Sequence, residues 1–256
     1  DETDQDIGNY ERFLDIDITK VNYMTTGRVY LSVIEKERSM YYKGKCVEVV
    51  PHVPFEIIER INTAAKNAKA DFTIIEIGGT VGEYQSMLFL EAVRMLKTKN
   101  PKDVITMMVS YLPIPSKVGE MKTKPTQYAV RTLNSAGIFP NFLLCRAERS
   151  LDEVRKEKLA LACNIPTENI ISAPDVDSIY DIPLNFEKEG LSSAILKELG
   201  VKEKKQEKDG LLEWKNFVKK TKSNTKQVRI AIIGKYFETG DFVLADSYLS
   251  VIEALK

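Results

Sequence analysis

The sequence has 256 residues, 43% of them hydrophobic, enough for one large domain or one domain plus part of another. Lysine plus arginine equals aspartate plus glutamate at 37 each, which argues against a chain built as a whole to bind nucleic acid or an anionic membrane surface. No apolar stretch approaches the roughly 18 residues of a membrane-spanning helix, and no signal peptide is visible.

Residues 1–20 are crowded with acids, among them Asp1, Glu2, Asp4, Asp6, Glu11, Asp15 and Asp17. Such a run is usually a solvated face, and it can also hold a divalent cation. Thr25 to Arg28 reads as a turn into a helix over Val29–Arg38. Lys45–Val50 reads as a strand, ended by Pro51, His52, Val53 and Pro54. Pro54 suits a first helical position, and Phe55, Ile57, Ile58 and Ile61 make one apolar stripe. Phe72–Ile77 is an apolar, β-branched run that suits a strand buried on both faces of a parallel sheet, with one carboxylate, Glu76, inside it. Gly78, Gly79 and Gly82 follow, where the backbone can turn sharply and a ligand can come close. A helical pattern opens at Ser86.

Further strands are predicted over Asp103–Tyr111, Phe142–Cys145 and Asn169–Ser172. Pro125 opens the helix after the first of these, and Ser150 with Glu153 forms a capping box for a helix reaching Cys163. Strands alternating with helices predict an α/β fold, a mostly parallel sheet with right-handed crossovers and helices on both faces. Residues 1–200 form the first domain on this reading. The lysine- and glutamate-rich stretch 201–227, with a helix around Trp214, is a linker. Val228–Gly234 is a fresh buried strand opening a second α/β domain over residues 228–256. The chain opens on Asp1 rather than Met and closes inside a helical pattern, so it reads as an excerpt of a longer protein.

Cys46, Cys145 and Cys163 are scattered in apolar surroundings and read as buried, reduced thiols of a cytoplasmic protein. His52 is the only histidine, so a His-rich zinc site is ruled out.

In open α/β sheets ligands sit at the carboxyl ends of the strands. Glu76 is placed there as a ligand for Mg²⁺ on a nucleotide phosphate, or as the partner of a nearby cation. Lys122, Thr123, Lys124, Pro125, Thr126 and Gln127 set two ammonium groups just before a helix N-terminus, an arrangement that favours a phosphate; the alternative is an ordinary surface loop. Arg146 ends a strand, and Asp175, Val176 and Asp177 follow another. Asp175 alone reads as a helix cap, and Lys158 alone as a surface lysine. Together the strand ends point to a phosphorylated ligand and a metal.

Several segments resemble the CTP synthase family: residues 2–15 (Glu-Thr-Asp-Gln-Asp-Ile-Gly-Asn-Tyr-Glu-Arg-Phe-Leu-Asp), Thr25–Arg28, the Val-Pro-His segment, Glu76–Gly82, Lys122–Gln127, Leu144–Arg146 and Asp175–Tyr180. Gly234–Tyr236 and the last seven residues resemble the start of that family's glutaminase domain. The resemblance implies a P-loop NTPase-like, dethiobiotin-synthetase-like synthetase domain, followed by the first part of a class I glutaminase domain. It implies a ligase in which ATP phosphorylates O4 of UTP, ammonia released from glutamine attacks C4, phosphate leaves and CTP forms.

On the same resemblance Asp6 and Glu76 would hold Mg²⁺. Glu83, Tyr84 and Gln85, together with Lys122–Gln127 and Lys158, would bind UTP or the inhibitor CTP. Arg146, Asp175 and Val176 would contact ATP. Lys122 and His52 would be the catalytic candidates, His52 lying near the substrate and the ammonia path. Partners implied are GTP as activator, CTP as feedback inhibitor and further copies of the chain in a dimer or tetramer, with no nucleic acid and no membrane.

The family's glycine-rich phosphate loop and its Cys, His and Glu glutaminase set are absent from the sequence. Asp1 joins Glu2 directly where relatives read Asp-Gly-x-Glu-Thr-Asp, and Gln85 stands where relatives carry Glu, a change that bears on sensitivity to CTP. The competing readings are a related ATP-dependent amidoligase on the same scaffold, and a non-catalytic nucleotide-sensing or filament-forming protein. The Lys122–Gln127 loop argues against the former, and Asp6 with Glu76 against the latter.

Overall fold

The computed structural model describes residues 6–202, 210–223, 228–235 and 248–255, with backbone only at Asp6. Three parallel strands make the sheet, in the order β1 (Met107–Tyr111), β2 (Phe142–Ala147) and β3 (Ile170–Pro174). Met107 pairs with Phe142 and Tyr111 with Arg146; Leu143 pairs with Ile170 and Ala147 with Pro174. Helix α5 (Lys124–Ser135) joins β1 to β2, and α6 (Glu153–Cys163) joins β2 to β3.

The period of two along β2 explains why both faces are covered. Leu143, Cys145 and Ala147 face a core shared with Met108, with Val130 and Leu133 of α5, and with Leu159 and Cys163 of α6. Phe142 and Leu144 face the other way, onto Ile171, Phe186 of α7 (Ile182–Lys188) and Leu191 and Ile195 of α8 (Leu191–Glu198). Each fully buried Leu, Ile or Phe contributes roughly 1.5–3 kcal/mol, so these two clusters hold the sheet.

A third layer lies outside α4 (Met87–Lys99). Leu90 and Val93 of α4 pack on the sheet core. Ala92, fully buried, packs with Val29 and Val33 of α2 (Thr26–Arg38) and with Val53 and Ile57 of α3 (Val49–Ala68). The remaining helices are α1 (Asp6–Leu14), α9 (Gly210–Ser223) and α10 (Leu249–Leu255).

The α/β class, the parallel sheet and its helices on both faces are as expected. Four local expectations are corrected. Phe72–Ile77 forms no strand, and Phe72–Glu76 is exposed rather than buried on both faces, Ile74 to 92%. Its residues suit a pleated backbone, but a strand also needs a neighbouring backbone, and no described strand pairs with it. Lys45–Val50 is not a strand either: it leads into α3 from Val49. Val50 is non-helical (φ −113°, ψ 124°), so the regular turns begin at Pro51, and Pro54 lies inside the helix rather than at its first position. Helix α6 is capped by Asp152, whose carboxylate accepts the Arg155 N–H at 2.8 Å, and not by the Ser150–Glu153 box. Cys46 is exposed, whereas Cys145 and Cys163 are buried as expected.

The buried strand expected over Val228–Gly234 is a fifth correction: these residues form no strand, and Val228, Ile230 and Ile233 are exposed. Residues 1–5, most of the charged part of the 201–227 stretch, and residues 236–247 lie outside the described residues, and with them Asp1, Glu2, Asp4 and Tyr236.

Candidate functional site

The carboxyl ends of the three strands are stitched together through their backbones. The Leu112 N–H, just past β1, donates to the Arg146 carbonyl at 2.8 Å, and the Asp175 N–H, just past β3, donates to the Ala147 carbonyl at 2.9 Å. The Lys122 N–H donates to the Pro113 carbonyl at 2.9 Å, folding the lysine loop back onto the end of β1. Parallel topology therefore gathers Lys122–Gln127, Arg146 and Asp175–Val176 at one sheet edge, as the sequence order implies. The exposed Arg146 guanidinium stands 3.8 Å from the Asp175 carboxylate, so Asp175 faces a cation and does not act as a helix cap.

Within the loop the residues divide by burial. Lys124 and Pro125 are exposed, and Lys122 is half-buried. Thr126 has no exposed surface, and its hydroxyl lies 2.8 Å from that of Ser110 on β1, so it seats α5 on the sheet. Thr123 is buried as well, and its hydroxyl accepts from the Gln127 amide at 3.2 Å. Two arginines pin the loop from the α6 side: Arg149 donates to the Gly119 carbonyl at 2.5 Å and Arg155 Nε to the Met121 carbonyl at 3.2 Å. The Lys122 ammonium donates to the Glu120 carboxylate at 2.5 Å. That contact, with added attraction from Arg155 and Lys158, holds the Glu120 carboxyl below the usual carboxylate range. Lys158 is exposed on α6.

Sequence reasoning missed Glu120, Arg149 and Arg155. Glu120 carried a readable signal, an acid two residues from the phosphate-binding candidate Lys122; the two arginines are 30 and 34 residues from the carbonyls they bind and left none.

The glycine turn forms a second group. Gly79 and Gly82 have φ of +86° and +101°, a region that other residues adopt only under strain. A Cβ at Gly79 would meet the Glu83 carboxylate at 3.0 Å, so the turn closes tightly over Glu83. The Gln85 amide donates to that carboxylate at 2.6 Å, and Tyr84, on a short turn of 3₁₀ helix, is 91% exposed. Glu76 is exposed just ahead of this turn.

Among the described residues no three His, Cys, Asp or Glu converge on one point. The exposed Glu76 carboxylate fits a hard cation whose other ligands are waters and phosphate oxygens, the usual manner of Mg²⁺. The Asp6 side chain lies outside the described residues.

His52 sits apart from both groups, near the start of α3. The Glu48 N–H donates to its Nδ1 at 3.0 Å, and its ring meets the Tyr42 ring edge-on at 5.0 Å. Nδ1 also lies 3.1 Å from the Glu48 carbonyl, so either tautomer finds a backbone partner there.

The family model described as CTP synthase N-terminus matches residues 1–201. Over 255 residues the chain is 45% identical to a CTP synthase of Picosynechococcus sp., covering 99% of this chain and 45% of that protein. It is 44% identical to a CTP synthase of Methanosarcina barkeri over 255 residues (100% of this chain, 46% of the relative), and 46% identical to one of Thermococcus gammatolerans over 256 residues with the same coverage. The chain thus spans a little under half the length of the curated relatives it matches.

Proposed function

The chain belongs to the family defined by the CTP synthase N-terminus, and from that premise we propose that it carries the synthetase half of an ATP-dependent amination of UTP to CTP. The observation that carries this reading is the gathering of the Lys122 loop, Arg146 and Asp175 at one end of the parallel sheet. Phosphoryl transfer needs positioning and charge neutralisation above all, and this edge supplies cations on a backbone fixed by three hydrogen bonds.

In this reading Lys122 and Lys124, with the free N–H groups at the start of α5 and Lys158 on α6, hold the phosphates of UTP. Thr123, Pro125, Thr126 and Gln127 shape the turn, Thr126 by anchoring α5 rather than by touching the ligand. Glu83, Tyr84 and Gln85 line the pyrimidine and ribose side, where CTP would compete. Arg146, Asp175 and Val176 contact ATP. Asp6 and Glu76 hold Mg²⁺, which neutralises the charge on the phosphates. His52 lies toward the path of ammonia, with its Nδ1 engaged by the Glu48 backbone.

Residues 1–200 are the synthetase domain, 201–227 the linker and 228–256 the start of the glutamine amidotransferase domain; the family match ending at residue 201 supports the first boundary. Glutamine as ammonia source, GTP activation, CTP feedback, assembly into dimers or tetramers and a cytoplasmic location belong to the same reading. No described helix is long and apolar enough to cross a membrane.

Ammonia-dependent turnover of UTP by the full-length protein tests the proposal. CTP should form with ATP and Mg²⁺, and Lys122→Ala should lower the rate at least tenfold, the scale of losing one charged contact to a phosphate. Absence of CTP from the wild type would overturn the reading. Turnover untouched by Lys122→Ala would move the phosphates off the loop.

A further inference from the structure

The lysine loop carries its own anion. Glu120 Oε2 accepts from Lys122 Nζ at 2.5 Å, and the other carboxylate oxygen, Oε1, stands 3.8 Å from Arg155 Nη2. One carboxylate thus lies between two cations. Arg155 is fixed at that distance: its Nε donates to the Met121 carbonyl, and its Nη1 is held by Asp152, the cap of α6. Lys158, one turn along the same helix, adds a third positive charge that acts on Glu120. Moving from Lys122 toward Arg155 would keep Glu120 in a positive field throughout, so the exchange costs little.

Building on the assignment of Lys122 to the phosphates of UTP, we propose that Glu120 is the resident counter-ion of that site: it occupies the Lys122 ammonium where a phosphate binds, and shifts to Arg155 when a nucleoside triphosphate arrives. An unoccupied lysine would otherwise be free to swing into solvent. The carboxylate holds it in the binding position and sets a threshold that a weakly charged ligand does not cross. The competition acts only on a charged ligand: displacing the carboxylate lowers the affinity for a triphosphate and leaves a nucleoside, which makes no claim on Lys122, untouched.

The test is calorimetry on the full-length protein with two ligands, UTP with Mg²⁺ and uridine, and three variants, Glu120→Gln, Lys122→Gln and the two combined. Glutamine keeps the shape of Glu120 and removes its charge. Glu120→Gln should bind UTP about two- to fivefold more tightly, the scale of one partly exposed ion pair, and bind uridine as the wild type does. In the double variant the gain should vanish. Unchanged or weaker UTP binding by Glu120→Gln, with binding still lost in Lys122→Gln, would overturn the counter-ion role and leave the phosphate site standing; Glu120 would then merely shape the loop. Equal gains for UTP and uridine would also overturn it, since a charge competitor acts only on the charged ligand. UTP binding unaffected by Lys122→Gln would remove both the phosphate assignment and the counter-ion.

Discussion

Cys145 on β2 and Cys163 on α6 face the same core and are buried to near completion. Burial pushes the Cys145 thiol up to about 12, with the neighbouring Cys163 adding to it, and pushes Cys163 up to about 11. The thiolate is the reactive form, so both are inert near neutral pH. Cys46 is exposed. Iodoacetamide applied to the folded protein near pH 7.5 should therefore modify Cys46 alone, and Cys145 and Cys163 only after denaturation, as read by peptide mass spectrometry. Native labelling of Cys145 would mean that the contact of α6 with the sheet opens readily. The exposure of Cys46 was not legible in the sequence, because Val47 beside it suggested a buried strand that the chain does not form. Thr126 teaches the same lesson at the site. Its place in a six-residue polar motif suggested a ligand contact, and only the fold shows its hydroxyl turned inward onto Ser110.

At the scale of elements, the three strands of the sheet were legible as apolar runs bounded by Pro, Gly and Asn. Phe72–Ile77 has the same composition and forms no strand, because hydrogen-bonded partners decide strands and composition only permits them. Helix–helix contacts were less legible still. Helices α2 and α3 are pinned by Glu56, 5% exposed, which accepts from Lys36 of α2 at 2.6 Å and from Arg60, one turn along α3, at 2.8 Å. Twenty residues separate Lys36 from Glu56, and no local pattern joins them. Burial alone would raise the Glu56 carboxyl, but hydrogen bonds from Lys36, Ser32 and Arg60 outweigh it and hold the group below the usual range. A carboxyl depressed in the folded state stabilises the fold fully above its ordinary value of about 4.3, and that contribution is lost as pH falls through the depressed value. Glu56→Ala should cost about 1–3 kcal/mol in urea unfolding at pH 7, because Arg60 loses this acceptor and Lys36 is left with Glu59 alone. Glu56→Gln should flatten the loss of stability on acidification below about pH 4. A variant as stable as the wild type would mean that water serves Arg60, and Glu59 serves Lys36, at no cost.

The whole molecule has a sheet-centred body and a helix, α9, that lies outside its cores. Neither cluster on the two faces of the sheet contains an α9 residue. A group of aromatic rings attaches α9, beside the buried Val218. Trp214 stacks on Phe13 of α1 at 5.4 Å between centroids, and Phe217 meets Tyr180 edge-on at 5.4 Å. The Trp214 indole N–H donates to the Tyr180 carbonyl at 2.9 Å, and Lys222 binds Asp181 at 2.7 Å. The rings join three stretches far apart in sequence, and they converge on the turn that follows Asp175–Val176, the ATP side of the proposed site. Aromatic pairs add about 0.5–1.5 kcal/mol each beyond their burial, so Trp214 carries much of the attachment. Trp214→Ala should release α9 without melting the body. Trypsin would then cut at Lys215, Lys219, Lys220 and Lys222 several times faster than in the wild type, while the thermal midpoint of the sheet, which shares no core residue with α9, shifts by no more than a few degrees. Trp214 is the only tryptophan, so in the unmutated protein its fluorescence reports on this one contact. If the variant resisted trypsin as well as the wild type, contacts other than the rings would be holding α9. If the whole molecule unfolded together, α9 would be part of the cooperative body and not a helix fastened to it.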